Sequence, residues 1–111
     1  MKLLAFETSQ EITQFKSSGA MIGGVARCSG ATRISVLELE PGGVVGMHDA
    51  AVPQLLLVLD GRASVRSGDN PPIEIAQGQG VLWELGEPHE TASGETGLTA
   101  IVVEAESLDV L

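Results

Sequence analysis

Two stretches decide how this chain is read. The first is Pro41-Gly42-Gly43-Val44-Val45-Gly46-Met47-His48, running on to Gln54 and then Gly61. The second is Gly78-Gln79-Gly80, running on to Gly86-Glu87-Pro88-His89. Each sets one histidine in a strand pattern beside a Gly/Pro turn, and the chain has 2 histidines in all. Side chains of equal parity share a strand face. His48 therefore falls on a face with Val44 and Gly46, Gln54 with Leu56 and Val58, Trp83 with Leu85, and His89 with Thr91. If the two hairpins are neighbours and fold inward, His48, Gln54 and His89 surround one cavity with Trp83 as a wall.

Outward from these stretches the pattern stays β. Thr32 to Glu40 alternates, with Ile34, Val36 and Glu38 on one side and Ser35, Leu37 and Leu39 on the other. Strands are expected at residues 21–28, 32–40, 44–49, 54–59, 62–67, 73–76, 81–85, 89–92 and 98–104. Pro41-Gly42-Gly43 is a turn because proline presets φ and glycine accepts positive φ. Asp60-Gly61 reads as a hairpin turn. Turn signals every eight to twelve residues mark an all-β sandwich or barrel. No segment between strands has the length or periodicity of a crossover helix, which disfavours parallel βαβ topologies.

Composition narrows the function classes. The 111 residues fit one domain, with residues 1–20 as a polar lead-in and 21–105 as the barrel. The net charge is −9, from 15 acidic and 6 basic residues, and the basic residues are scattered singly. Such a surface repels phosphate backbones, so nucleic acid is not expected as a partner. The single Cys28 excludes an internal disulfide framework. The apolar run Leu3-Leu4-Ala5-Phe6 is too short for a signal segment, and no stretch approaches a membrane span. A cytoplasmic protein without membrane contact is expected. Leu55-Leu56-Leu57-Val58-Leu59 is apolar on both faces, so one face wants a second cover. A homodimer is the expected cover, and the N-terminal segment the alternative.

The spacing resembles the two-motif signature of the cupins. Their first motif is Gly, five residues, His, one residue, His, three or four residues, Glu, six residues, Gly. This chain has Gly42, His48, Ala50, Gln54 and Gly61 at those positions. Their second motif is Gly, five residues, Pro, one residue, Gly, two residues, His, three residues, Asn. Here it reads Gly78, Glu84, Gly86, His89 and Ser93. Trp83-Glu84-Leu85-Gly86-Glu87-Pro88-His89-Glu90 is also similar to a Trp-x-x-Gly-Glu-x-His-Glu run of small single-domain bacterial cupins. The resemblance implies an all-β fold, the double-stranded β-helix or jelly-roll barrel of two antiparallel sheets.

The departures bear on chemistry. Metal-binding cupins use two His and a Glu from the first motif and a His from the second. Ala50 and Gln54 replace the second His and the Glu, which leaves His48 and His89 with the neutral Gln54 as the metal-ligand set. A divalent Fe, Mn, Ni or Zn site normally takes three protein ligands, often including a carboxylate. The cofactor is therefore one such ion or none, and Glu87, Glu90 or Asp49 could supply the missing charge. Gln54, Trp83 and Glu87 are the candidates for contacting a small-molecule ligand. Three readings stay open: a binding module with a weak or degenerate metal site, a metal-dependent dioxygenase- or isomerase-like enzyme acting on a small oxygenated substrate, and a metal-free epimerase-like enzyme with a histidine base. Each residue also has a plainer reading: histidines lining a closed core, a buried amide bonded to backbone, a core tryptophan, and solvated turn acids.

Overall fold

A computed structural model describes all 111 residues. The protein is all β, and no helix is long and apolar enough to cross a membrane. In chain order the strands are β1 (Lys2–Ala5), β2 (Gln10–Glu11), β3 (Met21–Ile22), β4 (Ala26–Leu39), β5 (Val44–Asp49), β6 (Gln54–Ser67), β7 (Ile73–Ala76), β8 (Gln79–Trp83) and β9 (Pro88–Val110).

Every pairing is antiparallel, and β6 and β9 serve both halves of the barrel. One half has the order β1-β8-β6-β9-β4 and uses Gln54–Val58 of β6 and Leu98–Glu104 of β9. The other half sets β7 beside Arg62–Val65 of β6, and β5 beside Pro88–Ala92 of β9. Two facing sheets that share their long strands form the jelly-roll expected from the sequence.

The Asp60-Gly61 hairpin is not formed, because β6 runs unbroken through it. The register against β9 slips between Val58 and Asp60 and again between Gly61 and Ala63, so the segment is a bulged corner where the strand leaves one sheet for the other. Gly61 has φ +81°, and a Cβ there would overlap the carbonyl oxygen of Gly97 on β9. The turn chemistry was legible, but it bends a strand instead of reversing it. Likewise residues 89–92 and 98–104 belong to the single strand β9, and 21–28 is split between β3 and β4.

Alternation sends Leu56, Val58, Val65, Val81, Ala100 and Val102 into the space between the sheets, where they form the main core with Trp83. Val58 and Val65 have no exposed surface, and each such side chain contributes about 1.5–3 kcal/mol of burial. A smaller cluster of Leu55, Ala105 and Leu108 lies on the opposite face of the larger half. β2 and β3 form a separate two-stranded arm.

Candidate functional site

The two histidine-bearing stretches meet by direct pairing. β5 lies against the start of β9 with Val44 opposite Ala92, Val45 opposite Thr91, and His48 opposite His89. The loops beyond are stitched to each other: Gly86 N–H donates to Ala50 C=O (2.7 Å), and Ala50 N–H donates to Glu87 C=O (3.0 Å). At the other end the Ser93 hydroxyl accepts from Gly43 N–H (3.0 Å) and donates to Glu40 C=O (2.5 Å). The last position of the second motif thus clamps the first motif's glycine turn. Gly42, Gly61, Gly78 and Gly86 all have positive φ, which accounts for glycine at those places.

The imidazole centroids of His48 and His89 are 4.3 Å apart, and the Trp83 ring lies 4.4 Å from that of His89. His89 and Trp83 are buried while His48 is exposed at the mouth. His48 Nδ1 is 2.7 Å from Gly46 C=O, and His89 Nδ1 is 3.0 Å from Glu87 C=O. A carbonyl can only accept, so each Nδ1 carries the proton and each neutral ring keeps its lone pair on Nε2. Burial pushes the His89 imidazole below the ordinary histidine value; the Glu87 carbonyl opposes that shift and His48 adds to it.

These rings line two adjoining hollows of about 180 and 170 Å³, which share His48, Gln54, His89 and Glu104. Trp83, Leu56, Val102 and Thr91 wall the inner one, and Asp49 borders the outer one. Trp83 Nε1 is buried and has no hydrogen-bond partner. The structure thus brings together His48, Gln54, Trp83 and His89.

It places Glu87 elsewhere. The Glu87 carboxylate accepts from the Met1 α-amino group (2.5 Å) and from Glu84 N–H (3.0 Å), and it meets His89 through its backbone carbonyl. Burial raises its pKa, but hydrogen bonds from the N-terminus, Ser67 and Glu84 outweigh that and hold it below the usual value. Glu90 is tied to Arg66 (3.1 Å). The carboxylate at the hollows that sequence reasoning missed is Glu104. It lies outside both motifs, but its register partners are Gln54 on β6 and Arg33 on β4. Only strand alternation carried to that pairing would have found it.

The donor set does not fit the metal site that the fold family often carries. No group of three or more His, Cys, Asp or Glu side chains converges closely enough to hold an ion. Two imidazoles and a neutral amide lack the anionic third ligand.

Fold and site together define a small cupin-type barrel with a histidine pair, one ring buried and one at the mouth. No protein-family model matches the chain, and no curated protein matches it in sequence. Solved structures match in fold. An RmlC-like cupin family protein with a double-stranded β-helix fold from Methanocaldococcus jannaschii is similar at TM-score 0.65 and 16% identity, over 89% of this chain and 90% of that one. A cupin-like protein from Thermotoga maritima is similar at TM-score 0.64 and 20% identity, over 72% of this chain and 64% of that one. The DMSP lyase DddQ from Ruegeria pomeroyi is similar at TM-score 0.62 and 20% identity, over 78% of this chain but 41% of that one. The chain thus spans less than two thirds of the length of the last two. At these identities the shared property is the fold.

Proposed function

We propose that the protein binds a small oxygenated molecule in the barrel, between His48, His89, Gln54 and Trp83. The observation that carries this reading is the His48–His89 pair, with ring centroids 4.3 Å apart, lining the same hollows as Gln54. The Nε2 lone pairs suit a hydroxyl or enol proton on the same ligand, and the Gln54 amide can both donate and accept. Hydroxy- and keto-acids, sugars and phenols of a few heavy atoms have this pattern of donors and acceptors.

The competing reading is a metal-dependent enzyme, and the likeness to a DMSP lyase shows that this fold supports enzymes. It would require His48, His89 and Gln54 to recruit Glu104 or Asp49 as the anionic ligand. An ion so held would polarise a bound oxygen.

Trp83 is the chain's one tryptophan, so its emission reports this site alone. A panel of small hydroxy- and keto-compounds should contain ligands that change Trp83 emission and raise Tm. Both responses should vanish in His48→Ala and His89→Ala. Responses that persist in those variants, or a panel with no response, would refute the reading. Elemental analysis of protein purified without a chelating tag separates the two readings: a stoichiometric transition metal, lost in both variants, supports the enzyme.

A further inference from the structure

The side chains lining the two hollows are rich in acceptors. With Nδ1 of each ring on a backbone carbonyl, His48 and His89 present Nε2 lone pairs. Glu104 adds a carboxylate, which when ionised can only accept. Gln54 and Thr91 can serve either way, and Trp83 is the one donor-only side chain on the wall.

The charge at the hollows has one sign. Glu104 borders both and Asp49 the outer one, and none of the 6 basic residues lines either. The ion pairs of the protein are Met1–Glu87, Arg62–Glu74 and Arg66–Glu90, so the Glu104 charge is uncompensated. Register explains where Glu104 stands. Arg33, Glu104, Gln54 and Trp83 face one another on β4, β9, β6 and β8, in one row across the larger half. Gln54 and Trp83 line the inner hollow with Glu104, while Arg33 lies exposed at the outer end of the row.

A carboxylate ligand suits this wall badly. It sets acceptors against acceptors and a negative charge against negative charges, and burying it with no cation beside it is costly. A protonated amine suits it well, having three donors and no acceptor. One N–H can go to the Glu104 carboxylate, and the others to an imidazole Nε2 or the Gln54 carbonyl oxygen.

We propose that the ligand of this cavity is cationic, a small hydroxy compound bearing an amine, and that Glu104 selects it by its charge. The inference rests on the reading that the hollows bind a small oxygenated molecule, and it narrows that set. Amino alcohols, amino sugars and amine-bearing phenols are favoured over hydroxy- and keto-acids. The ammonium sits at Glu104, and the hydroxyl donates to a histidine Nε2. Glu104 is thus a specificity-determining residue that lies outside both histidine motifs.

Titration calorimetry at about pH 8, with ligands of like skeleton and three different charges, tests this. One series is glycerol, aminopropanediol and glycerate; another is para-ethylphenol, tyramine and para-hydroxyphenylacetate. The amine should bind at least about 10-fold tighter than its neutral counterpart, and the acid weakest of the three. On the unaltered protein, raising NaCl from about 20 to 300 mM should weaken the amine and leave the neutral compound within about 2-fold. Glu104→Gln keeps the shape and removes the charge, and should bring the amine-to-neutral affinity ratio to within about 2-fold of one. An amine no tighter than its neutral counterpart, an acid that binds tightest, or a ratio unmoved by Glu104→Gln would overturn the proposal and leave the cavity reading standing. A protein that binds no compound of any charge would overturn both.

Discussion

His89 is held neutral by its surroundings, and that has a sign. Its folded pKa lies below the unfolded 6.5, so the unfolded chain binds the proton more readily. The stability this contributes is present above pH 6.5 and is lost as pH falls through the depressed folded value. The urea midpoint of the wild type should fall between pH 7.5 and 5, and His89→Gln should flatten that slope. Parallel slopes would show that His89 is not the group responsible. Glu87 acts in a lower window: its carboxyl is held below 4.5, so its contribution survives at pH 5 and is lost under more acid conditions. His48, Gln54, Trp83 and His89 were legible because two motifs fix their spacing and strand parity fixes their faces. Glu104 and the diversion of Glu87 were not. One depends on a register between strands fifty residues apart, and the other on where the N-terminus lies.

At the scale of elements, glycines read as turns do two different jobs. Gly42 closes the reversal after β4, while Gly61 lets β6 pass a corner tight against Gly97. Gly61→Ala combines a left-handed φ with overlap on backbone and should cost about 2–4 kcal/mol. Gly94→Ala has open space around its Cβ and no positive φ, so it should change little. Equal losses in the two variants, measured by urea unfolding, would remove the corner from the account. Ser93→Ala breaks the clamp between the two motifs and should cost about 1–3 kcal/mol. Strand existence was readable from alternation, but not strand continuity. A bulged strand and a hairpin use the same Asp-Gly chemistry, and only the partner strand distinguishes them.

At the scale of the whole molecule, the barrel class followed from alternation and turn spacing, because an antiparallel sheet with turns at this spacing has few ways to close a core. The standing-off arm did not follow: its sequence reads as polar, yet Phe15, Met21 and Ile22 are exposed on it.

The claim beneath the functional reading is that both imidazoles keep Nδ1 on the backbone and turn Nε2 toward shared space. Nitrogen-15 NMR of the histidine rings at about pH 8 measures this directly. Two Nδ1–H tautomers, with cross-relaxation between the rings, are the predicted result. An Nε2–H tautomer at either ring, or rings without mutual cross-relaxation, would contradict it.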